Sequence, residues 1–159
     1  MKTLYLIRGL PGSAKSTLAK MLVAAYFKRG VSMHHFEADD WFTNDGTYKF
    51  DHIQLGEAHA YCQQRTEWHL KRDHDVVVAN TFTTNKDIVP YLEIAIKTHA
   101  QVVIYECPNE FGDIHNVIEV DKRRMKASWE VLDMTPVNKA NALTTHWRKE
   151  NLQCLNNSK

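Results

Sequence analysis

Leu4-Tyr5-Leu6-Ile7, then Gly9-Leu10-Pro11-Gly12-Ser13-Ala14-Lys15-Ser16-Thr17, is the stretch on which the reading of the whole chain turns. A continuous apolar run reads as a buried strand, and the segment after it as a phosphate-cradling loop that opens a helix. The pattern G-x-x-x-x-G-K-[ST] needs glycines because backbone amides must close around an oxyanion, and a β-carbon on the inner side obstructs that approach. Gly9, Pro11, Gly12, Ser13, Ala14, Lys15, Ser16 and Thr17 are thus the expected nucleotide-binding residues. Lys15 would reach the β- and γ-phosphates, and Ser16 would offer its hydroxyl to Mg2+. Thr17 would begin a helix whose positive dipole end faces the negative charge. One position departs from the pattern: Ala14 stands where the second glycine belongs. Either Ala14 takes a left-handed conformation at a cost in strain, or it stays at negative φ with its methyl turned away from the phosphates.

Working outward, 159 residues give room for one domain with a real core. We expect it to span residues 1–155, with 156–159 a frayed tail. Charged residues at 25% and hydrophobic ones at 43% are ordinary globular usage. A net charge of +1 supplies no overall field to attract nucleic acid, so such a partner would have to be met by a local basic patch. Cys62, Cys107 and Cys154 are odd in number and form no C-x-x-C pair, which points to reduced thiols. Pro11, Gly12 and Lys15 interrupt the first apolar run too early for a signal peptide, and no stretch reaches membrane-spanning length; the expectation is a cytoplasmic chain without a membrane partner.

Along the chain, Leu18, Leu22, Ala25, Tyr26 and Arg29 recur at helical steps up to Gly30, and residues 32–37 read as a second strand. His34 and His35 there must point to opposite faces. Asp39-Asp40-Trp41-Phe42 leaves this strand at the carboxyl edge of the sheet, where open α/β folds bind ligands. After turn chemistry at Thr43-Asn44-Asp45-Gly46, a helix is expected over about 52–72, with Leu55, His59, Cys62, Thr66, His69 and Leu70 on its inner side. Val76-Val77-Val78-Ala79 has the signature of a strand buried on both faces, hence of a parallel sheet. A helix over 86–98 with Ile88, Leu92, Ala95 and Ile96 inward, and a buried strand over 101–107, follow. A basic helical segment over about 119–132 and, beyond Pro136, a last helix with Ala140, Leu143 and Trp147 on one side complete the reading. The fold class is α/β: a P-loop NTPase-like three-layer sandwich with a parallel sheet of about four to five strands and a short helical lid.

Phosphoryl transfer needs charge neutralisation and a base for the incoming hydroxyl, with little covalent help. Lys15, Mg2+ and an arginine would supply the first, and Asp39 is the expected base, following a second strand that should lie near the first. The one dense basic cluster is Lys122-Arg123-Arg124, and helical neighbours about 100° apart cannot all face one phosphate. Arg123 or Arg124, and not both equally, would serve as the lid arginine. Nine histidines show no H-x-x-x-H spacing and no mixed Cys/His array, so spacing gives no zinc site. Trp41, beside Asp39, is the tryptophan placed to stack on a substrate.

Gly9 to Thr17, Ala38-Asp39-Asp40-Trp41-Phe42 with Asp45-Gly46-Thr47-Tyr48-Lys49-Phe50, Ala58-His59-Ala60-Tyr61-Cys62, Asn80-Thr81 and Pro90-Tyr91 together resemble the polynucleotide-kinase-like P-loop family. That family includes the bacteriophage polynucleotide 5′-hydroxyl kinases and small stand-alone ATP-binding relatives. The resemblance extends to the lid, where Ile114-His115-Asn116-Val117 and Met125 are similar to an H-G-V-P…M pattern. It implies an ATP- and Mg2+-dependent kinase, with Lys15 and Ser16 at the phosphates, Asp39 as base and a lid arginine at Arg123 or Arg124. Three departures are Ala14, then Ala79 and Phe82 around Asn80-Thr81 in place of polar residues, then Asn116 and Ile118 in the lid. The implied acceptor is a nucleic-acid 5′ end. A nucleoside or other small hydroxyl compound uses the same phosphate machinery, and a catalytically weak nucleotide-binding module is the third reading; oligomeric state is not legible.

Overall fold

The computed structural model describes residues 1–44, 46–109, 111–112 and 117–156, the side chains of residues 44 and 150–156 excepted. Asp45, the Ile114-His115-Asn116 part of the lid pattern, the Cys154 side chain and the tail at 157–159 lie outside the described residues.

Four parallel strands form the sheet: β1 (Thr3–Arg8), β2 (Met33–Phe36), β5 (Asp75–Asn80) and β6 (Gln101–Glu106), in the order β2-β5-β1-β6. A small antiparallel hairpin, β3 (Thr43–Asn44) and β4 (Thr47–Tyr48), turns at Gly46. The helices are α1 (Lys15–Phe27), α2 (Leu55–Leu70), α3 (Asn85–Thr98), α4 (Glu119–Ala127) and α5 (Met134–Asn156). Continuous apolar runs in β1 and β5 are explained by their central places, since both faces are covered. Leu4, Leu6, Val76 and Val78 join the core beneath α2, α3 and α5, whereas Tyr5, Ile7, Val77 and Ala79 join a second core against α1. Burying each such aliphatic side chain contributes roughly 1.5–3 kcal/mol. This is the expected three-layer α/β arrangement with four strands.

Three helices end in the same way, with a residue of positive φ whose flanking amides bond back to the last turn: Gly30 after α1, Asp73 after α2 and His99 after α3. Gly30 was the legible one; the other two accept a non-glycine left-handed residue. Several sequence-based boundaries and faces are corrected. α1 begins at Lys15 and not at Thr17. In α2, Leu55 is exposed and Ala58, Cys62, Thr66, His69 and Leu70 are buried. Ile96 is exposed, while Tyr91 and Ile94 turn inward. The inner face of α5 is Val137, Ala140 and Thr144, with Leu143 and Trp147 outside, because that face follows 137, 140 and 144 at helical steps. β6, expected to be buried, is a half-buried edge strand, and the Asn141 side chain closes part of its open ladder. The Val102 amide donates to Asn141 Oδ1 at 2.7 Å, and Asn141 Nδ2 donates to the Val102 carbonyl at 2.9 Å. Among the described residues no helix is long and apolar enough to cross a membrane.

Candidate functional site

All four sheet strands run in one direction, so the loops after β1, β2, β5 and β6 gather at one edge. At position 9 an added Cβ would lie 2.2 Å from Ser13 Oγ and 2.9 Å from the Cys107 carbonyl, so only glycine fits. The Gly9 amide donates to the Thr81 carbonyl, joining the loop to the end of β5. Two left-handed residues then bend the backbone: Gly12 at φ 82° and Ala14 at φ 63°, ψ 24°. Ala14 therefore adopts the conformation that a glycine serves in this pattern, and the negative-φ alternative is set aside. Successive amides in such a bend form a concave anion nest ahead of α1, whose N-terminal end adds its dipole. Ser13 Oγ is buried with no hydrogen-bond partner in the protein, an orphaned polar atom inside this cradle. Lys15 Nζ donates to the Leu10 carbonyl at 2.9 Å, which keeps the ammonium over the loop's own backbone. Ser16, the expected metal ligand, sits in the first turn of α1, and Thr17 is exposed.

β2 lies two places from β1, with β5 between them, so the strand that leads into Asp39 is not a direct neighbour of the loop strand. A short 3-10 turn (Ala38–Phe42) carries it. Asp40 is occupied in capping this turn: its Oδ2 accepts from the Glu37 amide at 2.9 Å. Asp39 is the carboxylate left to face the hairpin, where Tyr48 donates its hydroxyl to Oδ1 at 3.4 Å. Asn80, the buried last residue of β5, positions the turn by accepting the Ala38 amide on Oδ1 at 2.9 Å. Trp41 is 40% exposed, bonded through Nε1 to Gln54 and packed beside Tyr61.

Two residues here escaped the sequence reading. Glu37 is in electrostatic reach of Ser16 and Lys15 of the loop and first helical turn. Burial pushes its carboxyl up, but the His35 and Ser16 side chains and the Lys15 charge outweigh burial and hold it below the usual carboxylate range. His35 Nε2 lies 2.9 Å from Glu37 Oε1, a close contact that is not aligned as a hydrogen bond. The second residue is Arg8, fully buried at the end of β1. Its guanidinium lies 4.0 Å from the Trp129 ring centroid, donates from Nη2 to the Glu130 carbonyl at 2.9 Å, and stands 3.6 Å from Glu106. A charge inside an otherwise apolar strand run was the available signal for Arg8. For Glu37 it was the acidic residue where β2 meets the turn.

The lid helix α4 is shorter than the basic segment predicted. Leu10 and Pro11 of the loop and Gly112, Glu119, Lys122, Arg123 and Lys126 of the lid line one cavity of about 170 Å³. Arg124 is not among them; it pairs with Asp121 at 3.1 Å on the outer side. Arg123 stands 3.6 Å from Glu119, which lines the cavity with it. The lid is joined to the loop at its entry, and to β1 and α3 at its exit. On entry, the Phe111 amide donates to the Gly12 carbonyl at 2.7 Å. On exit, Arg8 holds Trp129 and Glu130, and Glu130 Oε2 accepts from the Asn85 amide at 2.8 Å.

Comparison with known proteins bears on the fold and the family. Over 107 residues the chain is 36% identical to human NEDD4-binding protein 2, covering 67% of this chain but only 6% of that protein's length. Among solved structures, the Cys556Ala mutant of the Mycobacterium tuberculosis APS kinase CysC superposes with a TM-score of 0.57 at 12% identity, over 80% of this chain and 96% of that one. A chain of the Pnkp1/Rnl/Hen1 complex superposes with a TM-score of 0.52 at 17% identity, over 84% of this chain and 42% of that one. At such identities the likeness establishes a fold, here the α/β fold of P-loop kinases. Residues 4–111, from the first strand to the entry of the lid, match the AAA domain family, and the chain belongs to it.

Proposed function

We propose that this protein is an ATP- and Mg2+-dependent kinase that transfers the γ-phosphoryl group to a hydroxyl, most closely the 5′-hydroxyl of RNA or DNA. The supporting observation is the cavity between Leu10 and Pro11 of the loop and the basic face of the lid, in a loop that Gly12 and Ala14 bend through left-handed conformations. The loop amides and Lys15 hold the β- and γ-phosphates. Mg2+, when bound, neutralises charge across those phosphates, and the Ser16 hydroxyl is the side chain that fits it. The cradle at Gly9 and the orphaned Ser13 Oγ fit an oxyanion. Asp39 accepts the proton of the attacking hydroxyl, and Arg123 faces the transferring phosphate from the lid. Glu37 orients Ser16 and Lys15, and Asn80 fixes the turn that carries Asp39. The 5′-end acceptor rests on the resemblance of the segments around residues 9–17, 38–50 and 80–81 to polynucleotide kinases.

A small hydroxyl acceptor is favoured by one feature, the net charge of +1. Incubation with labelled ATP, Mg2+ and a panel of 5′-hydroxyl oligonucleotides, nucleosides and sugars separates the two. Labelled oligonucleotide is the expected product, and it should be lost in Lys15→Ala. Transfer only to a small compound would replace the acceptor, and nucleotide binding without transfer to anything would remove the kinase assignment.

A further inference from the structure

The Schellman-type end of α2 does more than stop the helix. Left-handed Asp73 lets the His74 amide bond back to the His69 carbonyl, which folds the two imidazoles together with Nδ1 atoms 3.2 Å apart. β2 pairs with β5 in a register that sets His34 opposite Val76, two residues beyond His74. His34 thereby joins the pair: its ring centroid lies 3.8 Å from that of His69 and 4.9 Å from that of His74. One ring nitrogen from each of the three lies within 4.8 Å of the others.

From this geometry we propose that His34, His69 and His74 form a binding site for a zinc-class divalent ion, three imidazoles with a fourth position left to water, which staples the edge strand β2 to the corner between α2 and β5. Three nitrogens on a tetrahedral zinc at about 2.0–2.1 Å are roughly 3.4 Å apart. The His69–His74 pair already has that spacing, and the His34 nitrogen lies within 4.8 Å of both. One outer polar partner orients a ring, Ser32 Oγ at 3.2 Å from His34 Nε2, while Phe36 packs against His34 and His69 and Trp68 packs against His69. Only the neutral imidazole ligates, so binding at this site releases any proton the rings carry. The spacing rules missed the site because its ligands come from a strand, a helix end and a turn 35 and 5 residues apart. His34 is three residues before Glu37, about 10 Å along the strand, so this site is separate from the phosphate loop and independent of the kinase reading.

The test uses the full chain, stripped with a chelator and held in millimolar Mg2+ without nucleotide, titrated with Co2+ and then with Zn2+ in competition. The expected result is one ion per chain with a tetrahedral Co2+ spectrum, displaced by Zn2+. Zn2+ at about a hundred times its dissociation constant should raise the Tm by roughly 5–10 °C. His69→Gln should weaken binding by about a hundredfold. Since His69 is buried, the more exposed His74→Gln provides the same reading if His69→Gln fails to fold, and His52→Gln should bind as the parent does. No Co2+ spectrum and no Zn2+-linked rise in Tm would show an imidazole–imidazole hydrogen bond only and overturn the proposal. Binding unchanged in His74→Gln would overturn it as well.

Discussion

Replacing Ala14 by glycine tests whether the phosphate loop carries strain. Ala14 has φ 63° and ψ 24°, within the left-handed region, where an L-residue stands roughly 1–2 kcal/mol above its right-handed alternative. Glycine removes that cost but loses about 0.4–1 kcal/mol more conformational freedom on folding. The net gain from Ala14→Gly is therefore about 0.8 kcal/mol at the centre of those ranges. Two measurements locate it. If the loop holds this shape with and without nucleotide, urea denaturation should show the gain as stability, a Tm rise of roughly 1–4 °C for a chain of this size. If the left-handed shape is adopted only around phosphates, stability stays level and titration with a non-hydrolysable ATP analogue tightens by up to about fivefold, since 1.4 kcal/mol is tenfold. Gly12 at φ 82° is already glycine and gives no comparable gain. A variant that is less stable and binds no tighter would refute the reasoning: strain at Ala14 would then be offset by contacts of its methyl group, and the alanine would belong to a working loop.

Asp39→Asn should keep ATP affinity within a few-fold while lowering turnover by roughly a hundredfold or more; steady-state kinetics with calorimetry checks both, and a large loss of ATP binding with little loss of turnover would move Asp39 to another role. Arg123→Ala should depress turnover far more than Arg124→Ala, because Arg123 lines the cavity and Arg124 is paired outside it with Asp121; equal small effects would return the lid cluster to a solvated surface. Glu37, with a folded pKa below its ordinary 4.5, contributes stability that is present above that value and lost as pH falls through the depressed one. Glu37→Gln should accordingly flatten the acid limb of the stability profile below about pH 5, measured by denaturation at a series of pH values, and an unchanged limb would place the dependence elsewhere.

The sequence was most legible where one physical cause dominates. Runs such as Leu4 to Ile7 and Val76 to Ala79 admit little but doubly covered strands, and the loop at residues 9–17 follows from its phosphate chemistry. Legibility failed where a side chain's place depends on which elements become neighbours. Residues 101–107 have the same apolar look as the central strands, yet β6 is an edge whose ladder Asn141 partly closes. Trp147 continues a plausible apolar face of α5, but it lies outside and stacks on His99, the left-handed residue that ends α3, with centroids 3.6 Å apart. Neither fact has a local signature.

The order β2-β5-β1-β6 also explains why the polar residues of the site divide as they do. With β5 between the loop strand and the strand that leads into the Asp39 turn, no single connection fixes the distance between the loop and Asp39. Asn80 and Thr81 at the end of β5 bridge that gap, the first by accepting the Ala38 amide and the second by accepting the Gly9 amide. Adjacent residues of the middle strand thus set the two halves of the site against each other, one bond to each side. On the far side of β1, Arg8 does the corresponding work for the lid, holding Trp129 and Glu130 where α4 returns to the sheet. A buried guanidinium with two nitrogens lacking hydrogen bonds is a costly way to build a core. Its position beside Gly9 accounts for that cost, because a hydrophobic residue there could pack against Trp129 but could not hold the Glu130 carbonyl, and the lid's exit would lose its register on the loop it covers.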